Sequence, residues 1–184
     1  MNEGDAFRHA AEGFAQRARN IKPDQWSSPT PCTEWDVRAL VNHVVGEWLW
    51  VAELMGGKTI GQVGDKLNGD VLGDDPVAKV SEAQRSATGA FSGPGALDKT
   101  VHLSFGDTSG NDYAQQMASD TVIHTWDLAR GIGADDTLDP ALVDFAWEYF
   151  GTHAEEWRSV GAFAEETQPE GDSKQARLIA LSGR

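Results

Sequence analysis

Asp120 and His124 stand four residues apart in the run Asp120-Thr121-Val122-Ile123-His124-Thr125-Trp126-Asp127-Leu128-Ala129-Arg130-Gly131. On a helix that spacing puts the two side chains one above the other on a single face. A carboxylate and an imidazole so placed make up two ligands of a three-ligand metal site, and the remaining ligand has to come from another helix. His43, in Leu40-Val41-Asn42-His43-Val44-Val45-Gly46-Glu47, is the best candidate. Two histidines and one carboxylate leave at least one coordination position open, the pattern of a catalytic rather than a structural site. The same donors suit zinc, nickel or non-haem iron. The competing reading makes His43 and His124 satisfied core histidines and Asp120 a capping or pairing residue.

Two helices must position these groups. Val37, Leu40, Val41, Val44, Val45, Trp48, Leu49 and Ala52 form a broad apolar stripe that predicts a helix over about 34–54. Thr33-Glu34-Trp35-Asp36 before it reads as a capping box with Thr33 as N-cap. His43 shares a face with Asp36, Ala39, Glu47 and Trp50, at the border of the stripe, and from there it can point into a bundle. The helix carrying Asp120 and His124 opens at Ser109 or Asn111 and stops at Gly131 or Gly133.

Helical periodicity also covers about 5–20, 76–92 and 140–160, with a last short helix or docked tail over 175–181. Val101 to Phe105 alternates like a short extended piece. Met55 to Asp75, with six glycines, reads as a long loop with a helical turn near Thr59–Val63, the kind of segment that forms a lid or the wall of a site. The fold class predicted is all-α: an antiparallel four-helix bundle with an additional C-terminal helix. Residues 1–184 are expected to form one domain, with 165–184 as a docked tail.

Other residues near the ligands carry weaker signals. Asp127 is either the acceptor that orients a ligand imidazole or an ion-pair partner of Arg130 or Arg38. Glu47 reads first as solvated helix charge, then as a general base or fourth ligand. Cys32 reads as a small buried apolar residue before a nucleophile. His9, His102 and His153 lack partners at ligand spacing. Trp48, Trp50 and Trp126 are core aromatics by default and pocket walls as the alternative. The acids of the 65–75 loop lack the order of a calcium loop and are read as solvated.

The net charge of −14 and pI near 4.6 argue against nucleic acid or anionic membrane as a partner, since both need a cationic surface. No apolar run approaches a membrane span. The acidic start Met1-Asn2-Glu3-Gly4-Asp5 is not expected to be a secretory signal. With a single cysteine, the expectation is a cytoplasmic protein.

Three motifs then show a resemblance. Trp26 followed by Thr30-Pro31-Cys32-Thr33-Glu34-Trp35-Asp36-Val37-Arg38-Ala39-Leu40-Val41-Asn42-His43 is the first, and His124-Thr125-Trp126-Asp127-Leu128-Ala129-Arg130 is the second. Arg177-Leu178-Ile179-Ala180-Leu181-Ser182-Gly183-Arg184 is the third. In that order they resemble the actinobacterial branch of the DinB/YfiT-like four-helix metalloproteins, related to the N-terminal domain of mycothiol-dependent maleylpyruvate isomerase. The resemblance implies a divalent metal, zinc first, on His43, Asp120 and His124. It implies a low-molecular-weight thiol such as mycothiol as co-substrate and a small electrophile as substrate, in a transferase or isomerase reaction. A non-catalytic metal- or ligand-binding module is the alternative. A homodimer is an expectation from the resemblance alone.

Overall fold

The apolar periodicity resolves into seven α-helices and one hairpin in a computed structural model that describes residues 1–184. In chain order these are α1 (Glu3–Ala18), α2 (Val37–Met55), the single turn α3 (Ile60–Val63) and α4 (Pro76–Ser92). The strands β1 (Thr100–Leu103) and β2 (Gly106–Ser109) follow, then α5 (Gly110–Ile132), α6 (Pro140–Ser159) and α7 (Lys174–Leu181). The protein is an all-α bundle of four long helices, α1, α2, α4 and α5. α5 runs along α1 and touches α2, while α4 closes against α1 and α2. α6 packs on the outside of α5, and α7 packs on α6. α5 is therefore covered on several sides, which is why nearly all of Met117–Ala129 is buried, polar residues included.

Forty-three residues form one continuous hydrophobic cluster. Trp48 sits at its centre, 1% exposed, edge-on to Phe7 and Phe14 at ring separations of 6.3 and 5.5 Å. Its indole Nε1 donates to Thr121 Oγ1 of α5 at 3.3 Å, so the polar end of the ring is satisfied. This anchor fixes the rotation of α2 against α1 and α5. Trp48 and Trp126 both belong to the core, and Trp126 also lines a cavity beside the tail.

Two local expectations are corrected, and a third, the extended piece, gains a partner strand. Helix α2 starts at Val37, and its N-cap is Asp36, whose side chain accepts from the Ala39 N–H at 2.8 Å; Thr33 lies in the preceding turn. The reason is tertiary: the Val37 and Arg38 N–H groups donate to Ser28 and Trp26 carbonyls, so the 26–36 loop folds back over the helix start. The extended piece at 101–105 is half of a hairpin, with Thr100 paired to Ser109 and Leu103 to Gly106. The 55–75 loop does not wall the candidate site. Asn42 holds it along α2, donating to the Gly69 carbonyl and accepting from Val71 N–H, and Asp70 pairs with Arg38 at 2.8 Å. Of the acids in that loop, Asp75 caps α4, and Asp65 accepts from the Asn68 side chain.

The tail is docked by specific contacts. Gln175 bridges Leu138 N–H and the Asp136 carbonyl, and Arg158 donates to the Leu181 carbonyl. Gly183 takes φ +78°, and a Cβ there would lie 2.7 Å from the Ala164 Cβ, so only glycine lets the chain turn so close to residue 164. No helix is long and apolar enough to cross a membrane.

Replacing Trp48 by Ala should cost about 3–5 kcal/mol through lost burial and a residual cavity. Urea unfolding checks this, with a lower midpoint and unchanged native helicity as the expected result.

Candidate metal centre

His43 from α2 meets Asp120 and His124 from α5. The His124 Nε2 lies 3.4 Å from Asp120 Oδ1, and the His43 Nε2 lies 3.9 Å from Asp120 Oδ2. The three donor atoms fall within 4.8 Å of one another. The two imidazoles meet edge-on, 5.0 Å apart, and Trp35 lies over both at 4.6 and 5.8 Å. The wall over the histidines is thus a tryptophan from the loop before α2, not one of the three helical tryptophans flagged by sequence spacing.

The far nitrogen of His124 explains why its near nitrogen faces Asp120. His124 Nδ1 lies 3.0 Å from Asp127 Oδ2 one turn on. Asp127 is fully buried, and its ion-pair partner is Arg184 rather than Arg130 or Arg38. Arg184 donates from Nε to Oδ1 at 3.2 Å and from Nη2 to Oδ2 at 2.9 Å, a two-pronged contact. Cys32 adds a third donor, its thiol 3.2 Å from the same Oδ2. Asp127 therefore faces the imidazole as the first reading has it, while its ion pair is with Arg184, a partner the second reading did not name.

The ligand trio, Cys32 and Arg184 line one cavity of about 560 Å³, with Asp127 behind them. Trp35, Trp157, Phe163 and the 161–164 turn complete its lining. Sequence reasoning missed Arg184 and Trp35 and underrated Cys32. All three stood inside quoted motifs, but their neighbours are 95 to 152 residues away for the Cys32–Asp127 and Cys32–Arg184 contacts, beyond any local periodicity.

The site is electrostatically divided. Burial lowers the His43 imidazole to about 4, against the pull of Asp120 and helped by His124 and Arg184, so the ring is neutral at pH 7. Burial acts the same way on His124, but the Asp120 carboxylate and hydrogen bonds to Asp120 and Asp127 outweigh it and hold His124 well above the ordinary range. Burial opposes ionisation of Asp120, yet His124, His43 and Arg184 together keep it below the ordinary carboxylate range. Glu47, one turn past His43, is half-buried rather than solvated; burial, with Asp120 adding to it, pushes its carboxyl up to about 7. His9 is exposed, His102 pairs with Asp107 on the hairpin, and His153 stacks on Tyr149, so none joins the site.

The donor set fits a divalent cation. Two imidazoles and a carboxylate converge, the carboxylate–histidine pair Asp127–His124 fixes one ring as metal ligands require, and the remaining side faces the cavity. Comparison with known proteins agrees on the family. Residues 7–129 match the mycothiol maleylpyruvate isomerase N-terminal domain, and the chain belongs to that family of DinB-like bundles. It is also 31% identical over 138 residues to uncharacterised proteins of Mycobacterium tuberculosis strains CDC 1551 and H37Rv, covering 74% of this chain and 71% of each relative. No solved structure matches it.

In the metal-free protein, imidazole NMR should show His43 titrating near pH 4 and His124 holding its proton well above its ordinary range. Asp120→Asn removes the charge that raises both, so both should titrate lower than in the wild type. A His124 that titrates at its ordinary value and ignores the substitution would contradict this electrostatic picture.

Proposed function

We propose that the chain binds one divalent metal through His43, Asp120 and His124, zinc in first place, with nickel or iron suited to the same donors. In this reading the protein is a thiol-dependent transferase or isomerase, using a low-molecular-weight thiol of the mycothiol kind on a small electrophile. The observation that carries it is the convergence of three donors from two helices on the wall of a cavity large enough for small molecules. The family adds the thiol.

When bound, the metal supplies Lewis-acid chemistry that makes a thiol or water an anion at neutral pH. The chain's own residues do the rest. His43 is neutral and ready to donate its Nε2 lone pair. To hold the ion, His124 would give up the proton on Nε2, which faces Asp120, and keep the proton on Nδ1, which Asp127 accepts. Trp35 and Trp157 exclude water from the two flanks of the cavity. Glu47, with a carboxyl near 7, is suited to exchange a proton at working pH. Residues 1–184 act as one metal-binding domain, in the cytoplasm, with the 165–184 tail as part of the site.

Because uptake displaces the His124 proton, zinc affinity measured by calorimetry should fall about tenfold for each pH unit below the His124 titration. His43→Ala and His124→Ala should each weaken zinc binding by more than about 100-fold and abolish thiol transfer to a chromogenic electrophile, without loss of the folded state. Transfer that persists in both variants would remove the metal from the mechanism.

A further inference from the structure

His124 belongs to two overlapping donor sets. The first is His43, Asp120 and His124 through Nε2. The second is Cys32, Asp127 and His124 through Nδ1, and its three donor atoms also fall within 4.8 Å of one another. A neutral imidazole has one lone pair, because one ring nitrogen carries the proton and the other accepts. A cation at the first set therefore needs the proton on Nδ1, and a cation at the second needs it on Nε2. One neutral ring does not serve both.

The second set is the more attractive by donor chemistry, since it offers a sulfur to a borderline-soft ion such as zinc. It is, however, already filled. The Arg184 guanidinium contacts both Asp127 oxygens and lies with Nη2 2.8 Å from the Cys32 sulfur. Its Nη1 is held by the Ser182 carbonyl at 2.9 Å, and its side chain is 7% exposed. A guanidinium has only donors and a permanent charge, so it occupies the acceptor positions and repels a second cation from them. The tight turn at Gly183 against Ala164 fixes where that guanidinium falls.

Resting on the metal reading above, we propose that Arg184 is a positioning residue that plugs a second, sulfur-containing metal site, Cys32–His124–Asp127. By holding Asp127 as the acceptor for His124 Nδ1–H, it leaves Nε2 free and directs the ion to the open site with His43 and Asp120. Without the plug, the ion takes Cys32 as thiolate with release of the thiol proton. It takes His124 at Nδ1 with release of the proton held there, and the proton on Nε2 stays, facing Asp120.

Cobalt(II) added to the metal-free full chain distinguishes the two sites optically. The wild type should bind cobalt with no sulfur-to-cobalt charge-transfer band in the near ultraviolet, and Cys32→Ser should leave that spectrum unchanged. Arg184→Met, which keeps the stem that packs in the tail, should gain the band, and the double variant Cys32→Ser/Arg184→Met should lose it. Circular dichroism establishes that each variant is folded. A folded Arg184→Met whose spectrum equals the wild type overturns the proposal. So does a wild type that already shows the band and loses it in Cys32→Ser, a result that does not depend on how Arg184→Met folds. A wild type that takes up no cobalt overturns the metal reading itself, and this proposal with it.

Discussion

Asp127 is a carboxylate with no exposed surface, and its burial is tolerable only because each of its oxygens has a donor. Those donors come from three distant parts of the chain: the loop before α2, α5 itself and the tail beyond α7. Removing any one leaves a buried charge short of a partner. The contact therefore does three things at once. It sets the ring plane of His124, holds the tail against the bundle and closes one side of the cavity. The placement of the ligands follows from this contact and from Trp48, which fixes the rotation of α2.

The charge arrangement around the site has a consequence for metal-free protein. Asp120 lies between two imidazoles of opposite tendency, one held neutral by burial and one held protonated by two carboxylates. The proton between His124 and Asp120 sits where a cation would bring its charge. In the proposed reading a metal on these ligands would take the place of a proton, so binding would not bury a new charge. That is a cheaper step than desolvating an ion into an unprepared core.

Much of the fold was legible because the bundle helices are amphipathic and their ends carry ordinary signals: the Ser109 cap, Pro76 and Pro140 at first turns, and a left-handed Gly133 after α5. The Asp120/His124 pair was legible for the same reason, since helical spacing alone puts both on one face. His43 followed from its position at the edge of an apolar stripe. What did not show were groups placed by long-range contact. The cap at Asp36 instead of Thr33 depends on the 26–28 loop, whose carbonyls accept from the first N–H groups of α2. Trp35 over the imidazoles and Arg184 on Asp127 depend on a folded-back loop and a docked tail, neither of which has a period to read. The glycine-rich 55–75 loop had the composition of a lid, but Asn42 fastens it elsewhere.

The central claim is that this bundle exists to hold one divalent metal between α2 and α5. Metal content of the protein as purified, by plasma mass spectrometry, tests it most directly. The account predicts about one zinc, nickel or iron per chain, as a three-ligand site implies. Less than about a tenth of an equivalent, even after metal is added back, would contradict it, since a preformed site of this kind fills readily. His43 and His124 would then be core histidines paired to Asp120, and membership of the family would account for the fold alone.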